Sequence, residues 1–307
     1  MRFASEEAQG RSPLYEELAR GVAGDRGILD FLLDLPPARR QANLLLAAVR
    51  HLHGTLPNFE SFRDALQAKP EELRAVMLTR TTQTNEPARC AVLLPVLAGL
   101  PQPLALLEVG ASAGLCLLPE RYGYAYGEHR LGAEEPVFPC EANSATPLPT
   151  RLPLVAWRAG LDLHPLDVTS AADVSWLETL VWPEQEQRRS RLRQAIGLAA
   201  KERPPLHQGD LRQDLVALLA QAPAGATRVV FHTAVLAYVT SQADRENFAE
   251  AAMRHADVWI ANEAPSVFPA IAAQAPSPAP PGHFLLSVNG RPVAWTDPHG
   301  ASISWFG

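Results

Sequence analysis

LLEVGASAGL, residues 106–115, is the stretch on which the fold turns. Gly110-Ala111-Ser112-Ala113-Gly114 reads as G-x-S-x-G, a sharp turn that presents a nucleophilic serine at the top of a sheet. Begun at Glu108, the same residues read E-x-G-x-S-x-G, a glycine-rich turn that seats a nucleoside-bearing ligand over bare backbone amides. Either reading requires a strand before the turn and a helix after it. PLALLEV at 103–109 is a short apolar run suited to a buried strand, and a helix is expected from Ala113 to about Glu120.

Upstream, YEELARGV, ILDFLLDL, NLLLAAVRHL and FRDALQA repeat apolar residues at three and four without sustained alternation. Residues 1–100 are therefore expected to form a helical region, broken near Pro87. Downstream, strand and helix patterns alternate. LVAWRAGLDL (154–163), PLHQGD (205–210), TRVVFHT (227–233) and ADVWIANE (256–263) read as the second to fifth strands, and helical stretches separate them. This predicts an α/β domain over 101–307, built on a mostly parallel sheet with both faces covered. In HFLLSVNGRPVAWTDPHGASISWF, Asn289-Gly290 between β-type runs predicts a C-terminal antiparallel hairpin. Insertions are expected near 121–153, where RYGYAYG and PVFPC suggest extra strands, and near 264–282, a Pro- and Ala-rich loop or lid.

The serine-nucleophile reading needs several strands and an oxyanion loop ahead of the motif, whereas about a hundred helix-patterned residues precede it here. The cofactor reading accounts for more residues. Gly110 permits a tight turn, Gly114 lets the next helix pack close, and the small Ala111, Ser112 and Ala113 leave room for a ligand. Glu108 sits at the strand end. Asp162, ending the second strand, has the lone pairs to accept two ribose hydroxyls, although it lies far beyond the spacing of about twenty residues expected for that acid. Asp210 follows the third strand, and either aspartate serves equally well as a helix N-cap. The fourth strand delivers His232 and Thr233 and the fifth delivers Asn262 and Glu263 to the edge where open α/β sheets bind ligands. There His232 and Glu263 are the candidates for proton transfer; a hydrogen-bonded structural histidine and a capping glutamate are the alternatives. No H-E-x-x-H or comparable spacing is present, so no metal centre is expected.

With 27 Lys and Arg against 33 Asp and Glu, the net charge of -6 argues against a general nucleic-acid surface and favours a small-molecule ligand. Cys90, Cys116 and Cys140 form no C-x-x-C pair, which suits a reducing cytoplasm. The opening MRFASEEAQG is polar and acidic, unlike a secretory leader, and the longest apolar runs are about half a membrane span. The sequence carries no signal of oligomeric state.

The E-x-G-x-S-x-G turn and the closing hairpin resemble class I S-adenosylmethionine-dependent methyltransferases. TQTNEPARCAVLLPVL (82–97), LLEVGASAGLCLLPERYGYAYG (106–127), RAGLDLHPLDV (158–168), LVWPEQEQRRSRL (180–192) and VVFHTAVLAYV (229–239) together resemble a bacterial family of unknown function, family 2332, itself similar to those methyltransferases. The resemblance implies a Rossmann-like fold, S-adenosylmethionine as cofactor, Glu108 as anchor of its amino-acid end and Asp210 near the adenine. It also directs attention to Thr84, Asn85, Glu86 and Arg89 as a cap over the turn, and to Arg121 and Tyr122 beyond it. Three functions stay open at this point: a methyltransferase-like enzyme with a small acceptor, an inactive scaffold or binding protein of the same build, and a Ser112 hydrolase.

Overall fold

A computed structural model describes residues 3–83 and 85–306. The chain divides into two compact units, one joining residues up to 84 with Ser170–Ser190, the other joining Asn85–Thr169 with Arg191–Gly307. Thr84 lies outside the described residues.

The first unit is helical, with α1 (Pro13–Gly24), α2 (Arg26–Leu33), α3 (Ala42–His53), α4 (Phe59–Ala68) and α5 (Pro70–Thr79). The second unit takes α6 (Arg89–Gly99), and α7 (Ala171–Leu180) returns to the first. Side chains set the helix starts: Ser12, Asp25 and Asn58 accept from the amides of Tyr15, Ile28 and Ser61. The apolar faces then meet in one core, where Leu18, Ile28, Leu45, Phe62 and Met77 cluster with the fully buried Trp176 of α7. The Trp176 indole donates to the Thr81 carbonyl, and Arg80 pairs with Asp173 at 2.6 Å.

The second unit is built on the strands: β1 (Leu104–Val109), β2 (Gly123–Tyr126), β3 (His129–Gly132), β4 (Val137–Pro139), β5 (Glu141–Ala142), β6 (Val155–Asp162), β7 (Leu206–Gln208), β8 (Thr227–Thr233), β9 (Val258–Glu263), β10 (Phe284–Val288), β11 (Arg291–Thr296) and β12 (Ser302–Trp305). Among the described residues, nine of them form one sheet in the order β5-β12-β11-β10-β9-β8-β1-β6-β7, and β3-β2-β4 form a second. Strands β7, β6, β1, β8 and β9 are mutually parallel, while β10, β11 and β12 add an antiparallel flank. The chain is thus a mixed α/β protein with a large, mostly parallel sheet.

Strand β1 lies inside the sheet between β6 and β8, and all six of its residues are buried. On one face, Leu107, Val109, Leu161, Val230 and Trp259 pack with Leu215 and Leu218 of the helix Leu215–Leu219 and with Phe248 of the helix Gln242–His255. The β10–β11 hairpin turns at Asn289-Gly290, both at positive φ, and Asn289 also accepts from the Trp259 amide.

The helix expected from Ala113 to Glu120 is replaced by two 3-10 turns, Leu115–Leu117 and Pro119–Arg121. Gly114, left-handed at φ 70°, breaks the helical path, and Pro119 interrupts it again. Tyr122, just before β2, and Tyr124 within it then satisfy carbonyls that a helix would have used: Tyr122 donates to Leu115 O and Tyr124 to Pro119 O. Among the described residues, no helix is long and apolar enough to cross a membrane.

Candidate functional site

Strand alternation divides the residues that the sequence delivers to the sheet edge. Glu108 is in register with Gly160 and Phe231, and Thr233 with Asn262, which puts Glu108, Thr233 and Asn262 on one face. His232, in register with Val109 and Ala261, and Glu263 two residues beyond Ala261 lie on the other. The four residues of β8 and β9 therefore do not form one cluster.

On the second face, His232 and Glu263 are closed into the fold, 0% and 3% exposed. The Trp259 indole donates to His232 Nε2 at 3.1 Å. Because that indole nitrogen only donates, His232 Nε2 is the acceptor and Nδ1 carries the proton given to Glu263 Oε1 at 2.8 Å. The same Glu263 oxygen accepts from the amides of Val235 and Leu236, so this carboxylate holds the loop leaving β8. A general base needs an unshared lone pair facing a substrate, and both ring nitrogens of His232 are engaged within the core.

The glycine turn is not the bare cradle that its small residues predict. Gly110 N donates to Leu161 O, Ser112 N to Asp162 Oδ2 at 2.8 Å, Ala113 N to Asn85 Oδ1 at 3.2 Å and Gly114 N to Ala111 O. The amides are saturated because Asp162 and Asn85 converge on the turn from two sides. Asp162 Oδ1 also accepts from His164 N. Gly110, at φ 72°, is packed so closely that an added Cβ would lie 2.3 Å from Val235 Cγ2. Ser112 occupies the left-handed region at φ 50°, where a glycine would be at ease, and its buried Oγ has no hydrogen-bond partner among the described residues. His232 is turned to the opposite face and cannot serve that hydroxyl as a base.

The Glu108 face instead gathers a buried polar group. Glu108 and Ser112 are each within 5% exposure and Asn262 is fully buried. Burial pushes the Glu108 carboxyl well above the carboxylate range; neighbouring Cys116 adds to this and Arg89 opposes it. Cys116 is pushed up by its hydrogen bond with Cys90 and by burial. From α6, Arg89 donates to Pro298 O at 2.8 Å and to both oxygens of Thr233. Glu86 accepts from Ala88 N and has His299 Nδ1 3.9 Å away. Asn262 Oδ1 accepts from Thr296. Four buried atoms here, Asn85 Nδ2, Glu108 Oε2, Ser112 Oγ and Asn262 Nδ2, have no hydrogen-bond partner among the described residues.

Two other sequence candidates lie apart. Asp210 pairs with Arg212, which holds its carboxyl below the usual range, and Arg121 pairs with Glu202 at the surface. Tyr122 is a core residue. Thr296, Trp259 and Val235 join these networks without any local signal in the sequence; their roles arise from strand register and from one loop packing on another.

Fold and site together define a class: an α/β protein with a mostly parallel sheet and a buried polar site at the carboxyl edge of its inner strands. The chain belongs to the family described as Uncharacterized protein conserved in bacteria (DUF2332), whose model matches residues 1–305. Neither a search of curated proteins nor one of solved structures finds a match.

Proposed function

We propose that the chain is an S-adenosylmethionine-binding, methyltransferase-like protein with a small-molecule acceptor, its ligand seated on the Glu108 face at the carboxyl edge of β1. The observation that carries the reading is the set of four unpartnered polar atoms drawn from three segments of chain: Asn85 before α6, Glu108 and Ser112 at the end of β1 and its turn, and Asn262 in β9. Each unmade hydrogen bond of this kind costs about 1–3 kcal/mol, a cost that a polar ligand removes. The strand order supports it: numbered by their own succession, the five parallel strands run 3-2-1-4-5, the doubly wound arrangement whose ligands sit beyond the strand ends. The residues fit the polar end of such a ligand at Glu108, Asn85 and Ser112, while the turn amides contribute only if the Asp162 and Asn85 bonds are exchanged. When bound, the cofactor supplies an activated methyl group. The protein's part is to hold an acceptor in line with it, which does not require His232.

A second reading, a scaffold of the same build that turns nothing over, is favoured by the saturated turn amides and by the 3-10 turns where a helix would point its N-terminus at the ligand. Calorimetric titration with S-adenosylmethionine and S-adenosylhomocysteine separates the two. Heat and a thermal shift support the binding protein; silence in both at millimolar ligand leaves the scaffold. The Ser112 hydrolase is tested with a fluorophosphonate probe, and no labelling is expected.

A further inference from the structure

The helical unit contains a recess of its own, with about 220 Å³ of empty space, part of it open to solvent. Leu18, Leu46, Val49, Leu56 and Phe62 give it apolar walls, drawn from α1, α3, α4 and the connection after α3. Tyr15 and Arg50 line it as well. Tyr15 is 3% exposed, and its hydroxyl has no hydrogen-bond partner among the described residues, whereas a buried phenol ordinarily finds one. Burial raises the phenol above its ordinary ionisation range, with Arg50 opposing, so the group remains a donor at neutral pH. Arg50 directs its bonds to neutral oxygens: Nε donates to Thr55 Oγ1 at 3.1 Å, and Nη1 to the carbonyls of Thr179 and Val181. A guanidinium has five N–H donors, and no carboxylate bonds to this one among the described residues. Glu184, the acid that acts on Tyr15, has its oxygens on the Ser12 hydroxyl at 2.8 and 3.0 Å and on the Leu14 amide at 3.3 Å.

We propose that this recess binds a small aliphatic carboxylate, its chain against the apolar walls and its oxygens accepting from the Tyr15 hydroxyl and the Arg50 guanidinium. The charge follows from the donors: a phenol without an acceptor and a guanidinium without a carboxylate are both completed by an anionic oxygen. The size follows from the volume. A cavity of about 150 Å³ takes a benzene ring, so this recess takes a chain of about four to six carbons and not a long acyl chain. The exposed Gly54 and Thr55 form its rim, where a ligand enters. Nothing in the proposal depends on the Glu108 face.

Methyl NMR titration of the full chain tests this with pentanoate, pentanol and acetate. Pentanoate is expected to shift the methyl groups of Leu46, Val49 and Leu56 saturably, while the alcohol, which lacks the charge, and acetate, which lacks the chain, each bind at least about tenfold more weakly. Tyr15→Phe removes a buried hydroxyl that has no partner, so the variant should be at least as stable in urea as the natural chain. It should nevertheless bind pentanoate at least about fivefold more weakly. Pentanol or acetate binding as tightly as pentanoate overturns the proposal. So does pentanoate binding undiminished by Tyr15→Phe, or the lack of any saturable shift with pentanoate.

Discussion

Tyr126 supplies the hydrogen bond that Pro95 removes. Pro95 lies inside α6 and has no N–H, so the carbonyl one turn earlier, that of Ala91, has no helical partner; the Tyr126 hydroxyl donates to it at 2.6 Å. The helix that carries Arg89 is thereby tied to the small sheet through one phenol.

Tyr126→Phe should therefore cost about 1–2 kcal/mol in the natural chain. In a Pro95→Ala background, where the amide returns, the same change should cost a few tenths at most. A double-mutant cycle by urea denaturation measures the difference; equal costs in both backgrounds would show that the two residues act independently.

Relief is expected at Ser112. Ser112→Gly removes a side chain from the left-handed region together with an unpartnered buried hydroxyl, and should stabilise the protein by about 1 kcal/mol, whereas Ser112→Ala keeps the backbone cost. Chemical denaturation of both variants checks the order, and a Gly variant no more stable than the Ala variant rejects the explanation.

His232→Gln should cost about 2–4 kcal/mol, since it unpairs the Trp259 indole, weakens the hold on Glu263 and disturbs a close-packed face. Because the imidazole is turned away from Glu108, ligand affinity at the Glu108 face should change less than about threefold, or about 0.6 kcal/mol. Nitrogen NMR should report the Nδ1–H tautomer. A tenfold loss of affinity in a variant that is still folded would contradict this division of the faces.

The pH dependence of Glu108 has a fixed sign. An acid raised in the folded state favours folding while protonated, so its contribution is complete below the ordinary value of 4.5 and is lost as the pH climbs towards its folded-state value. Glu108→Gln stays neutral throughout. Its melting temperature should therefore fall less than that of the natural chain between about pH 5 and pH 9, with the two curves converging in acid. Parallel curves would mean that Glu108 is not held protonated.

Much of this architecture is legible in the sequence. The apolar runs of β1, β8 and β9 and the Asn289-Gly290 hairpin are local signals, and the structure contains each of them. The apolar spacing after the glycine turn predicts a helix that does not form, because Gly114 takes a left-handed conformation and Pro119 interrupts the path, and the hydroxyls of Tyr122 and Tyr124 take up the carbonyls of Leu115 and Pro119 instead. Strand ends alone bring His232, Thr233, Asn262 and Glu263 to one edge, but alternation sends adjacent side chains to opposite faces. Asp162 ends its strand as the sequence predicts, yet one of its oxygens holds the Ser112 amide, a bond across fifty residues that no spacing rule contains.

The helical unit draws Trp176 from a segment far along the chain from its other core residues. As the polypeptide leaves the ribosome, helices α1 to α5 emerge about ninety residues ahead of that indole, an interval of about 5–20 s at ordinary elongation rates. Through that interval Ile28, Leu45 and Met77 lack the residue that completes their packing, so nascent chains halted before α7 should be the species that ribosome-associated holdases retain longest.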